Sequence, residues 1–186
     1  IDAVLRAAPG LVVIDEAYLP FAQDTWMPHL RSWPNLLVLR TLSKLGLAGI
    51  RLGYLSGDPE WIAEIEKLRP PYNVNVLSLA AADLMLEHLA TLDSQAVMLR
   101  AERSRVATAL SAIRGLTVFP SAANFLLFRV ADPDQVFAAL KERGILIKNV
   151  SKTHPLLAGC LRTTIGTSGE NDALMQALRT IMEIPR

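Results

Sequence analysis

Leu36-Leu37-Val38-Leu39-Arg40 runs directly into Thr41-Leu42-Ser43-Lys44-Leu45-Gly46-Leu47-Ala48-Gly49, and this stretch decides the fold. Its first half is short and continuously apolar, as expected of a strand buried on both faces of a parallel sheet. Its second half is a glycine-containing loop. A matching run, Leu11-Val12-Val13-Ile14, ends in Asp15-Glu16, and Arg51-Leu52-Gly53-Tyr54-Leu55 reads as a third strand. Thr25 to Trp33 is a short helix candidate. In open α/β sheets ligands bind beyond the carboxyl ends of the strands, so Asp15 and Lys44 fall where one crevice is expected.

Further along, Asp58-Pro59-Glu60 combines an N-cap aspartate with proline at the first helical position and starts a helix reaching Leu68. Arg69-Pro70-Pro71-Tyr72-Asn73 ends it, because tandem prolines exclude continuation. Val76 to Arg114 is rich in Ala and Leu and too long for one ordinary helix, with a break expected near Asp93. Beyond Gly115 the pattern changes to strands at Leu116–Phe119, Phe125–Val130, Ile145–Lys148 and Leu161–Ile165, with helices at Pro133–Glu142 and Glu170–Met182. This is an α/β chain: residues 1–90 belong to a mostly parallel-sheet domain and 91–186 form a small α+β domain. Disorder is expected at the termini and in the loop 149–158.

The 186 residues carry a net charge of +1, which gives no electrostatic footprint for nucleic acid or an acidic membrane. No apolar stretch approaches the roughly 20 residues of a membrane helix. Cys160 is the single cysteine, so the chain builds no internal disulfide or cysteine metal cluster, and a reducing cytoplasm fits. The N-terminus reads as the tail of an amphipathic helix, without signal-peptide features, as though the chain began in mid-domain. Its partners are therefore expected among small molecules or other subunits.

Three constellations could carry chemistry. Lys44 lies beside a small-residue loop and Arg51. An amine of lowered pKa in such a place can form a Schiff base with a cofactor aldehyde, while Thr41, Ser43, loop amides and Arg51 can hold a phosphate. A solvated surface turn is the plainer alternative. Asp15, three residues before Tyr18, could keep a pyridine nitrogen protonated, or could simply make a turn. Arg162, on a strand before Gly166, suits bidentate capture of a carboxylate, or an ion pair with a structural acid.

The ordered strings Val13-Ile14-Asp15-Glu16-Ala17-Tyr18, Arg40-Thr41-Leu42-Ser43-Lys44 with Gly46-Leu47-Ala48-Gly49-Ile50-Arg51-Leu52-Gly53-Tyr54, Pro71-Tyr72-Asn73-Val74-Asn75, Ala123-Asn124-Phe125 and Leu161-Arg162-Thr163-Thr164-Ile165-Gly166-Thr167 resemble histidinol-phosphate aminotransferase. That family belongs to the class II aminotransferases of the fold-type I pyridoxal-phosphate enzymes. The resemblance implies that Lys44 is the Schiff-base lysine and proton shuttle. It further implies that Asp15 pairs with the pyridine nitrogen, Tyr18 with the ring oxygen, and Thr41, Ser43 and Arg51 with the cofactor phosphate. Arg162 would bind the substrate α-carboxylate and Lys148, where relatives often carry arginine, the substrate phosphate.

The implied reaction moves an amino group between glutamate and imidazole-acetol phosphate to give histidinol phosphate in histidine biosynthesis, in a cytoplasmic homodimer. Aromatic aminotransferases and threonine-phosphate decarboxylases are alternatives within the fold. Two departures stand out. The Lys44–Arg51 interval is one residue shorter than the more common family pattern, and the strings match only the second half of such enzymes, so an inert fragment is the rival from another class. His29, His88 and His154 are too scattered to suggest a metal site, Cys160 reads as a small core residue, and Asn73, Asn75 and Asn124 could line a pocket or serve turns.

Overall fold

The computed structural model describes residues 1–183. The chain divides into two compact units, Ile1–Ala96 and Val97–Arg186.

In the first unit, helix α1 (Asp2–Ala7) precedes strand β1 (Val12–Asp15), a short helix α2 (Leu19–Ala22), a 3-10 segment Met27–Ser32 and strand β2 (Leu36–Thr41). Two single 3-10 turns, Ser43–Leu45 and Ala48–Ile50, lead to strand β3 (Gly53–Gly57), followed by α3 (Pro59–Glu66) and α4 (Val76–Leu86). The strands lie in the order β1-β2-β3, β1 parallel and β3 antiparallel to β2. Leu36 and Val38 point to a core with Leu5, Val12, Ile14, Trp26, Met27, Leu30 and Trp33. β2 is buried on both faces over Leu36–Val38, with Leu37 at 2%, but β1 is not: Val13 is 54% exposed, because strand alternation turns it away from the core that Val12 and Ile14 join. Within the helix candidate Thr25–Trp33, Met27–Ser32 forms a 3-10 helix with Pro28 in its first turn.

Capping chemistry sets the helices. The Asp58 carboxylate accepts the Glu60 N–H at 2.9 Å before α3, and the Asn75 side chain accepts the Ser78 N–H at 2.9 Å before α4. The long helical stretch breaks at Glu87–His88 rather than near Asp93, and α5 runs from Leu89 to Ser111.

In the second unit, β4 (Thr117–Val118), β5 (Phe125–Arg129), β6 (Lys148–Asn149) and β7 (Cys160–Thr164) form an antiparallel sheet in the order β4-β5-β7-β6. Helices α6 (Pro133–Glu142) and α7 (Ser168–Glu183) supply Val136, Leu140, Leu174 and Leu178 to a core that also holds Val106, Leu110, Phe128 and Leu161. Each such apolar side chain contributes on the order of 1.5–3 kcal/mol by leaving water. The loop 149–158 is not a disordered stretch: Ser151 donates to Asn149 Oδ1, Lys152 pairs with Asp134 at 2.8 Å, and Arg129 donates to the Leu156 and Ala158 carbonyls.

Candidate functional site

β1 and β2 end side by side, with Asp15 in register with Leu39. Side chains alternate across a strand, so Asp15, Leu39 and Thr41 share one face while Glu16 and Arg40 share the other. Asp15 is exposed, and its Oδ1 accepts the Ala17 N–H at 2.8 Å, which turns the chain toward Tyr18. That turn carries the Tyr18 ring to Lys44, whose Nζ stands 4.9 Å from the ring centroid.

Around Lys44 the loop is tightly wound. Thr41 Oγ1 accepts the Ser43 N–H at 3.1 Å, and the Leu42 carbonyl accepts N–H groups from Leu45 and Leu47. Gly46 takes φ +89°, a conformation open to glycine at little cost. Arg51 adopts φ +56° without being glycine, and its Nη1 donates to the Ala48 carbonyl at 3.3 Å. Because of this left-handed residue, β3 begins at Gly53 and Arg51 stands in the loop rather than on a strand. Lys44 makes no salt bridge among the described residues.

Behind this face lies a group of residues that the sequence reading did not single out. Glu16 is 6% exposed, the only buried carboxylate among the described residues. It accepts the Trp26 N–H at 2.6 Å, the Thr25 hydroxyl at 3.0 Å and Arg40 Nε at 2.9 Å. Arg40 Nη2 also donates to Thr25 Oγ1 at 2.7 Å, and Nη1 to the Tyr54 hydroxyl at 3.4 Å. Burial works against the Arg40 charge, but the bonds to Tyr54 and Glu16 outweigh it and hold the guanidinium above its ordinary value. The signal available in sequence was an acid and an arginine each at the polar end of an apolar run.

The second unit presents Arg162 and Lys148. They are cross-strand partners on β7 and β6, while Leu127 faces Arg162 from β5. Like charges directly opposite in a ladder repel, and neither is in a salt bridge among the described residues. The Arg162 guanidinium carbon lies 5.1 Å from the centroid of the Phe125 ring. Arg103 Nη1 donates to the Ala123 carbonyl at 2.8 Å and so secures the turn that leads into β5. Such a pair of cations, one of them oriented by a ring, is suited to an anion.

The sequence profile described as aminotransferase class I and II matches residues 1–178. The chain belongs to that family. Histidinol-phosphate aminotransferase 2 of Cupriavidus pinatubonensis is 59% identical over 187 residues, which cover 98% of this chain and 51% of that protein. The crystal structure of histidinol-phosphate aminotransferase from Sinorhizobium meliloti, in complex with pyridoxal-5'-phosphate, is 28% identical with a TM-score of 0.79, covering 97% of this chain and 52% of the other. That from Clostridium acetobutylicum, at 24% identity and a TM-score of 0.86 over 97% of this chain and 57% of the other, shows the same fold. The chain spans about half the length of the curated relatives it matches.

Within this aminotransferase-family chain the remaining candidates have local duties. Asn73 Oδ1 accepts from Arg69 and Asn75 caps α4, which gives both turn or cap roles. Asn124 offers its backbone carbonyl to the Ile165 N–H. Cys160 is fully buried in the second unit. His154 Nδ1 accepts the Leu156 N–H, and His29 lies against Trp26. No cluster of three or more metal-ligating side chains occurs among the described residues, and none of their helices is long and apolar enough to cross a membrane.

Proposed function

We propose that the polypeptide carrying these residues is a pyridoxal-phosphate-dependent aminotransferase that moves an amino group between glutamate and imidazole-acetol phosphate, giving histidinol phosphate. The observation that carries this reading is the placement of the Lys44 amine over Tyr18, at the end of the sheet whose exposed face bears Asp15 and Thr41. Relatives named for that activity match along nearly the whole chain.

The donor set fits the cofactor. Lys44 makes no salt bridge among the described residues, Asp15 is an exposed carboxylate at a strand end, and the Thr41 and Ser43 hydroxyls with the Arg51 guanidinium lie at the end of β2 and in the loop after it, a set suited to a phosphate. When bound, the cofactor supplies an electron sink for the carbanion at the substrate α-carbon. In this assignment Lys44 would hold the cofactor through its side-chain amine and would take the substrate α-proton and return it. Asp15 holds the ring nitrogen protonated, and Tyr18 donates to the ring oxygen. Arg162 grips the substrate α-carboxylate and Lys148 its phosphate. Residues 1–90 then supply part of the large cofactor domain and 91–186 the small domain, in a cytoplasmic homodimer.

Replacing Lys44 by Ala in the longest polypeptide that carries this sequence tests the assignment. Loss of the visible cofactor band and a fall in amino transfer of roughly 10²–10⁴-fold are expected. Retention of both the band and full activity refutes it.

A further inference from the structure

The Glu16–Arg40 pair is expensive for what it does to stability alone. Glu16 is buried and Arg40 largely so, with side chains 3% and 20% exposed, and taking such charges out of water is costly enough that apolar residues of similar volume often serve as well. A buried pair of this kind is best understood through the geometry it fixes. Here four pieces of chain meet on it: the end of β1 through Glu16, the turn at Thr25–Trp26, the end of β2 through Arg40, and β3 through Tyr54. The Glu16 N–H also donates to the Leu39 carbonyl at 2.8 Å, closing the β1–β2 ladder at that point.

The position of the pair in sequence matters as much as its bonds. Glu16 directly follows Asp15, and Arg40 directly precedes Thr41. Alternation therefore sets the ion pair on one face of the strand ends and Asp15 with Thr41 on the other. Any slip or splay of the two strand ends changes the distance between Asp15 and the loop that carries Ser43 and Lys44. The fork of Arg40, shared among Glu16, Thr25 and Tyr54, opposes such movement in more than one direction.

We propose that Glu16 and Arg40 are positioning residues, which fix the ends of β1 and β2 from behind the site and thereby set Asp15 relative to Thr41, Ser43 and Lys44. This rests on the aminotransferase reading above. Both side chains lie on the face opposite Asp15 and Thr41, and each acts through its neighbour there.

The test uses the cofactor-loaded polypeptide and three variants: Glu16→Gln, Arg40→Lys, and the double replacement Glu16→Leu with Arg40→Met. Three quantities are measured: cofactor dissociation constant, the pH midpoint of the visible cofactor band, and thermal midpoint. Each single variant is expected to weaken cofactor binding about tenfold, equivalent to about 1.4 kcal/mol, and to move the band's pH midpoint. The double apolar variant is expected to keep its thermal midpoint and still show both changes, which a purely structural role would not produce. A folded double variant with unaltered affinity and unaltered midpoint overturns the proposal. If the double variant does not fold, Glu16→Gln decides by the same two readouts. An unmodified protein that shows no cofactor band overturns the aminotransferase reading, and this inference with it.

Discussion

The Lys44 ammonium nitrogen stands 4.9 Å from the centroid of the Tyr18 ring, within the range of a cation–π contact. The contact places the amine of one loop over the aromatic face of another and limits the rotamers open to a long flexible side chain. Tyr18→Phe keeps the ring and removes the hydroxyl, whereas Tyr18→Leu removes both. A cation–π contact is worth about 0.5–1 kcal/mol at exposed sites. Amino-transfer rate constants measured on both variants are therefore expected to fall further for Leu than for Phe, by an extra factor of about 2–5. Equal losses in the two would show that the ring does not orient Lys44.

Much of this was legible in residues. The apolar runs before Asp15 and Arg40 gave the parallel pair of strands, and Asp58-Pro59 and the tandem prolines at Pro70-Pro71 gave the bounds of α3 within two residues. What escaped depends on partners distant in sequence. Nothing local tells that Glu16 will meet Arg40, 24 positions away, or that Val13 will face away from the core while Val12 and Ile14 face it. The break at Glu87–His88 was misplaced because helix propensity is nearly uniform from Val76 to Ser111. The start of β3 shifted by two residues because Arg51 adopts a left-handed conformation that composition does not foretell.

Lys148 and Arg162 repel across the β6–β7 ladder. Lys148→Gln removes this repulsion while keeping a polar side chain on an exposed position. Because solvent screens the pair, the gain in unfolding free energy is expected to be only about 0.2–0.5 kcal/mol. Inorganic phosphate is expected to raise the thermal midpoint of the unmodified protein and to do so less for the variant. A midpoint lowered by Lys148→Gln, or an equal phosphate response in both, would count against an anion role for Lys148.

Glu102 accepts Arg105 Nε at 2.9 Å and Nη2 at 2.8 Å, and the Asn171 side chain at 2.7 Å. These bonds, Arg105 first, hold its carboxyl down at about 2. A depressed native pKa means that the unfolded chain binds the proton more readily, so this stabilisation is present above the ordinary value of 4.5 and is lost as pH falls toward about 2. Glu102→Gln cannot titrate. Its urea midpoint is expected to lie below that of the unmodified protein at about pH 6, with the gap narrowing below about pH 4.5 and closing only toward about pH 2. A gap of constant size would show that Glu102 acts only through shape.

Gly159 has φ +76° and opens the approach to β7, the strand that carries Arg162. A Cβ built there would stand 2.8 Å from the Val130 carbonyl oxygen and 3.1 Å from Arg129 Cγ. The Val130 N–H donates to the Gly159 carbonyl at 2.9 Å, so the backbone oxygen in the way belongs to a residue already tied to this turn and has little room to retreat. Gly159→Ala therefore combines left-handed strain with a backbone clash, and an unfolding cost of about 2–4 kcal/mol is expected. Gly10→Ala is the control, because nothing lies within 4 Å of its added Cβ; it is expected to be neutral or stabilising by up to about 1 kcal/mol. Urea midpoints of the two variants separate the effects. If Gly159→Ala is as stable as Gly10→Ala, the turn before β7 does not hold the strand that carries Arg162, and its register is set by pairing with β5 and β6.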